Sequence, residues 1–228
     1  MALKNVVLEI GTEEIPYRFI PDALAALKQG AASALTGSRI GFKDVNAYAT
    51  PRRLVLIASG VEEQQQALME SFKGPPLASA YDDEGNPTRA ALGFAKSRGV
   101  SVDDLKRDTV KGVEYVMAEV REEGRATLSV LPDLLCGLIE GLTFPKSMYW
   151  NDPGVRFARP IRWILALADD QVIPFSFAGV ESGRTTSGHR FMGKKAIEVK
   201  DAADFMGALF ESKVILDQDR RRQEMLAA

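Results

Sequence analysis

Arg159-Pro160-Ile161-Arg162-Trp163-Ile164-Leu165-Ala166-Leu167-Ala168, closed by Asp169-Asp170, is the stretch that decides how the chain folds. Pro160 has no amide hydrogen and biases Arg159 toward extended backbone, so the arginines belong to a loop or strand entry rather than a helix interior. Trp163 to Ala168 is a short apolar run bounded by turn residues. That is the pattern of a strand buried on both faces, with a buried helix as the alternative. A rigid strand would then carry Arg156, Arg159 and Arg162 at its mouth.

Outward from this run, cations and aromatics alternate. Phe144-Pro145-Lys146-Ser147-Met148-Tyr149-Trp150 precedes it, with a turn signal at Asn151-Asp152-Pro153-Gly154, and Thr186-Ser187-Gly188-His189-Arg190-Phe191 follows. Between Thr143 and Lys195 there are eight Lys or Arg against four Asp or Glu, in a chain whose formal net charge is -2. The positive charge is therefore local. Guanidinium forks bind phosphate oxygens bidentately and aromatic faces stack on unpaired bases, which suits a nucleic-acid backbone. The competing reading is that these arginines pair with the chain's own carboxylates and the rings fill its core.

The 228 residues suffice for one large domain or two small ones, and composition is that of a folded protein. No apolar run approaches the length of a membrane span and no signal-peptide pattern opens the chain, so a cytoplasmic location is expected, with no membrane partner. Cys136 is the only cysteine and His189 the only histidine. An intramolecular disulfide, a cysteine cage for zinc and a multi-imidazole metal site are thereby excluded. Neither a Gly-x-x-x-x-Gly-Lys phosphate loop nor a Gly-x-Ser-x-Gly elbow occurs.

In chain order, Asn5 to Ile10 reads as a strand ending at Gly11. Glu9, Glu13 and Glu14 are close enough for acid-base work or a cation site, but Glu13 and Glu14 are read as structural, complementing the coming helix start or holding an arginine from elsewhere. Ile20 to Leu35 reads as a helix with Leu24, Leu27, Ala31 and Leu35 on one stripe. Val45–Tyr48 and Leu54–Ala58 read as strands joined through Thr50-Pro51-Arg52-Arg53, whose arginines are a second candidate phosphate contact. Glu62 to Glu70 reads as an exposed strand continuation or linker. Thr88 is placed to cap a helix from Arg89 to Arg98 that Gly99 ends. Two strands follow within Thr109–Val120 around a turn at Lys111-Gly112, then a helix from Ala126 to Ile139 with Cys136 beside its apolar face. Val172 to Phe177 reads as one strand, and Pro174 puts it at an edge. Ile197 to Lys200 reads as a short strand, and Asp201 caps a helix through Phe210. The lone His189 is read as a hydrogen-bond donor, since the partners that orient a general base are not identifiable in the sequence.

Six motifs, in order and spacing, resemble the bacterial glycyl-tRNA synthetase β subunit: Glu9-Ile10-Gly11-Thr12-Glu13-Glu14-Ile15-Pro16, Thr50-Pro51-Arg52-Arg53-Leu54, Lys73-Gly74-Pro75, Phe144-Pro145-Lys146-Ser147-Met148, Arg159-Pro160-Ile161-Arg162-Trp163 and Gly188-His189-Arg190-Phe191. The resemblance covers essentially the whole chain and matches the N-terminal part of that family. Tyr149 departs from it, because an arginine usually stands there.

The resemblance implies the N-terminal fragment of an α2β2 glycine-tRNA ligase. Its fold would be α+β, with mixed or antiparallel sheets and flanking helices, similar to the editing-type module of the phenylalanyl-tRNA synthetase β subunit. Residues 1–216 would form one composite domain and 217–228 the start of a helix leading to further domains. Aminoacylation would occur in the α subunit, and the complete enzyme would use ATP and Mg. This fragment would bind no cofactor or metal, hold no catalytic residue, and partner the α subunit, the remaining β-subunit domains and tRNA. The expected tRNA contacts are Arg52, Arg53, Lys146, Arg159, Arg162, His189 and Arg190. Two alternatives stand beside this one: a hydrolytic editing module for mischarged tRNA, and a purely structural assembly module. Glycine's small size weighs against obligatory editing, since a tight pocket rejects larger competitors by steric exclusion.

Overall fold

Val6, Val7, Leu8, Glu9 and Ile10 are all buried, which a strand achieves only when both of its faces are covered. The computed structural model, which describes residues 3–82, 84–110, 112–150 and 154–227, shows how this comes about. β1 (Leu3–Thr12) leads through a short 3-10 turn into α1 (Ile20–Gly37), whose buried stripe is Ala23, Leu27, Ala31 and Leu35. β2 (Asp44–Thr50) and β3 (Arg53–Glu62) follow as an antiparallel hairpin.

The chain then forms a separate compact unit over 66–124, and the remainder, 1–65 with 125–228, forms another. The sequence alone marked no such division within 1–216. In the smaller unit, β4 (Leu68–Pro76), α2 (Leu77–Ala80), α3 (Arg89–Arg98), β5 (Lys106–Val110) and β6 (Val113–Glu122) build an antiparallel sheet of order β4-β6-β5. Its small core is Ala80, Ala91 and Val116, with Leu77 and Phe94 packed on it. Thr88 does not cap α3 as the sequence suggests: its hydroxyl donates to Ser79 O at 2.7 Å, so it ties the turn instead. Gly99 ends α3 in the left-handed region, φ 70°, as its position predicts. Where the chain leaves and re-enters the larger unit, Gln65 and Arg125 exchange hydrogen bonds, Gln65 N to Arg125 O at 3.0 Å and Arg125 N to Gln65 Oε1 at 3.1 Å.

The larger unit continues with α4 (Thr127–Glu140), the short pair β7 (Met148–Tyr149) and β8 (Arg156–Phe157), then β9 (Ile161–Ala168), β10 (Gln171–Val172), β11 (Ser176–Phe177), β12 (Val180–Gly183), β13 (Thr185–Thr186), β14 (Ile197–Glu198), α5 (Phe205–Glu211) and α6 (Gln218–Ala227). Its main sheet has the order β11-β12-β9-β1-β3-β2, with β10 also on β9. β1 pairs antiparallel with both β3 and β9, whereas β12 runs parallel to β9. The fold is thus α+β with a mixed sheet. Leu8, Ile10, Leu56 and Ala166 pack with α1 and α4 on one face, and Val7, Val55, Leu165 and Leu167 pack with Phe205 and Leu209 of α5 on the other.

One strand expectation is corrected. Val172–Phe177 is not a single strand but two, β10 and β11, broken at Ile173-Pro174-Phe175. Pro174 cannot donate to a ladder, and the Ser182 hydroxyl bridges the break, donating to Ile173 O at 2.7 Å and accepting from Phe175 N at 2.9 Å. Asp201 and Asp217 accept from backbone N–H groups two residues on, both at 2.8 Å, as capping requires. The turn signals at Asn151-Asp152-Pro153 and at Lys111 lie outside the described residues.

Candidate nucleic-acid interface

Three strands meet side by side at the end of the sheet where β1 finishes. Gly11 is the register partner of Arg53 on β3 and of Trp163 on β9. A Cβ at Gly11 would overlap the indole of Trp163, so the missing side chain makes the slot in which that ring lies. The Arg53 guanidinium sits 5.6 Å from the indole centroid. Two residues back on the same face of β1, the buried Glu9 Oε1 accepts from Arg53 Nη1 at 2.7 Å. Arg53 also donates from Nη1 to Thr186 Oγ1 at 3.3 Å and from Nη2 to Ser187 O at 2.5 Å. β3 is thereby fastened to the segment that carries His189 and Arg190. Burial pushes the Glu9 carboxyl above its ordinary range, against the opposing pull of the Arg53 charge, the Thr186 hydroxyl and the Trp163 indole. Burial likewise lowers Arg53, with Glu9 opposing.

Beyond this buried pair the backbone is stitched so that cations come to the surface. Thr12 N donates to Arg52 O at 2.8 Å, Ile15 N to Pro51 O at 2.6 Å and Glu13 N to Pro160 O at 3.1 Å. The Glu13-Glu14 loop therefore lies between the β2–β3 turn and the entry to β9. Glu13 approaches Arg162 Nε at 3.6 Å and Glu14 accepts from Arg190 Nη1 at 3.2 Å, so both acids hold arginines from elsewhere in the chain. Arg159 donates from Nε to Glu14 O at 3.1 Å and from Nη1 to Ala158 O at 3.2 Å. Carbonyl partners fix its direction without cancelling its charge.

A cleft of about 520 Å³ opens beside this loop. Arg52, Arg53, His189 and Arg190 line it, together with Glu14, Thr50, Phe191, Lys213, Val214 and Arg221. His189 Nδ1 accepts from the N–H groups of Phe191 and Met192 at 3.3 and 3.2 Å. That commits Nδ1 as acceptor and leaves Nε2–H as a donor. Arg221 reaches back from α6 to Ile215 O at 2.7 Å and Ala49 O at 3.3 Å.

The seven residues singled out in the sequence therefore differ in placement. Arg52, His189 and Arg190 share the cleft; Arg159 and Arg162 stand at the β9 entry; Lys146 is exposed in the bend before β7. Arg53 differs from the expectation. It is buried against Glu9 and presents no free guanidinium to a polyanion, because its carboxylate partner was hidden in a strand 44 residues away. Among the described residues, no group of three or more His, Cys, Asp or Glu is placed to hold a metal ion. No helix among them is long and apolar enough to cross a membrane. Sequence reasoning missed Lys213 and Arg221. Lys213 has a positive φ of 65°, unusual for a lysine, but an isolated Ser-Lys-Val string gives no warning of it.

Comparison with known proteins gives one consistent result. The family profile described as glycyl-tRNA synthetase beta subunit matches residues 6–228. The glycine–tRNA ligase beta subunit of Desulforudis audaxviator is 48% identical over 219 residues, which is 96% of this chain and 32% of that protein. Those of Moorella thermoacetica and Clostridioides difficile are 44% and 42% identical, over 96% and 97% of this chain. The chain spans 32% of the length of these relatives.

Proposed function

This chain belongs to the glycyl-tRNA synthetase β-subunit family, and from that premise we propose that it contributes tRNA contacts and scaffold, rather than bond-making chemistry, to a glycine–tRNA ligase. In this reading an α subunit forms the adenylate with ATP and Mg, in the cytoplasm, and the further β-subunit domains complete the assembly.

The observation that carries the reading is the character of the surface arginines. Arg162 and Arg190 make exposed ion pairs with Glu13 and Glu14, and Arg159 leans on carbonyl oxygens. Exposed pairs of this kind contribute only about 0–1 kcal/mol, so an incoming phosphate can displace the carboxylate at little cost. Buried Arg53, by contrast, is held for the fold's own use. The cations are thus divided between one that is neutralised inside and several that stay available outside.

Hydrolytic editing is less well supported by the same geometry. The cleft's one imidazole has its acceptor nitrogen turned to the backbone, which leaves a donor rather than a base toward a substrate. The likeness to the phenylalanyl-tRNA synthetase editing module stays within this proposal as a matter of architecture. The test is photochemical crosslinking of bound glycine tRNA followed by peptide mapping. Crosslinks to peptides containing Arg52, Arg159–Trp163 and His189–Phe191 are the expected result, and crosslinks that consistently avoid them would overturn it.

A further inference from the structure

The turn that carries Phe191 is tightly fastened at its base, yet its tip is exposed, with the Arg190 guanidinium 5.7 Å from the Phe191 ring centroid and the His189 ring 6.2 Å away. Gly188 N donates to Lys194 O at 2.8 Å, His189 N to Ser212 O at 2.9 Å and Gly193 N to His189 O at 2.9 Å. A Cβ at Gly188 would come within 2.7 Å of Ser212 Cβ, and one at Gly193 would overlap the Ser212 and His189 backbone. Both glycines are thus needed for the turn to lie against Ser212. From this base Phe191 and Met192 project 85% and 69% exposed. The chain has fixed a phenyl ring in water, where it adds nothing to the core.

That ring borders the cleft, and the charge around it is unbalanced. Among the described residues lining the cleft, Arg53 is already paired with Glu9, and Arg52, Arg190, Lys213 and Arg221 face a single acid, Glu14, while Pro51, Val214 and Ile215 add apolar wall. Arg52 Nε is buried without a hydrogen-bond partner. A complementary ligand carries negative charge together with a flat, weakly polar face.

We propose that this cleft receives an unpaired nucleotide at the end of an RNA strand, with its base stacked on Phe191 and its phosphate among Arg52, Arg190 and Lys213. The inference rests on the tRNA-contact reading above and deepens it by naming which part of the polynucleotide enters. A base within a duplex has both faces covered by its neighbours, so only an unstacked base can offer one to a side chain. At about 520 Å³ the cleft is the size of a small-ligand site, with room for one nucleotide.

The experiment compares this 228-residue chain binding two RNA hairpins at one fixed salt concentration, one blunt and one with a short unpaired extension, by fluorescence anisotropy. The extension should strengthen binding by about fivefold or more, the gain that stacking of a single base supplies. Phe191→Ala should remove that gain, whereas Phe191→Trp should keep it. Glu14→Gln, which removes the acid lining the cleft, should tighten the extended hairpin. Because Phe191 is so exposed, its variants should melt at the parent temperature. No gain from the extension, or a gain that survives in Phe191→Ala, overturns the proposal while blunt binding upholds the tRNA-contact reading. Failure of the parent chain to bind either hairpin would defeat both.

Discussion

Arg53 and Glu9 are joined across neighbouring strands by a buried ion pair of 2.7 Å, and through Thr186 and Ser187 the same guanidinium fastens the loop that forms one wall of the cleft. Removing one partner leaves the other buried and unpaired, which costs about 3–5 kcal/mol in such settings. Arg53→Met and Glu9→Leu should each lower unfolding free energy by roughly that amount, and the double variant should recover much of the deficit. The check is equilibrium urea denaturation of all four proteins. Single-variant effects that simply add in the double variant would contradict the pairing.

The raised pKa of Glu9 gives stability a definite pH slope. The folded state keeps the Glu9 proton to higher pH than the unfolded chain does, so unfolding releases a proton in the window between the two pKa values. The contribution of this group is therefore largest below the ordinary carboxylate range and is lost as pH rises toward its folded value. Glu9→Gln should flatten that part of the stability profile measured by denaturant midpoints. A parent profile that rises through the window as steeply as the variant's would count against it.

Gly11 is required by the Trp163 ring rather than by a turn. Gly11→Ala forces the indole out of its slot and should destabilise the chain by about 1–3 kcal/mol or more, the usual cost of overpacking. Adding Trp163→Leu should relieve the clash, so the alanine should cost less in that background. Denaturation midpoints of the four combinations decide this, and full additivity would be the adverse result.

The parts of this fold legible in the sequence are those whose information is local. The Trp163–Ala168 run, the α1 stripe of Leu27, Ala31 and Leu35, and the Gly99 stop each depend on residues within a few positions. The break at Pro174 was half visible: the proline signalled an edge, but the hydroxyl that bridges it comes from Ser182. The inserted unit was not legible, because Glu62–Glu70 has the polarity of an ordinary strand extension and its closure depends on Gln65 meeting Arg125. At the candidate site, residue types gave the cations but not their partners. Arg52 and Arg53 are adjacent in sequence and both border the cleft, yet only Arg53 is buried and held on Glu9. Only the β1–β3 register distinguishes them.

The most direct test of the account is the salt dependence of glycine-tRNA affinity for the parent chain and for Arg159→Ala/Arg162→Ala. Each phosphate contact with a duplex adds about 0.9 to the slope of log affinity against log salt, through release of counterions. If these arginines meet the tRNA backbone, the double variant binds more weakly, and its slope is shallower by about 0.9 for every phosphate that the substitutions leave unneutralised. An affinity and a slope indistinguishable from the parent's would contradict the role given to the β9 entry.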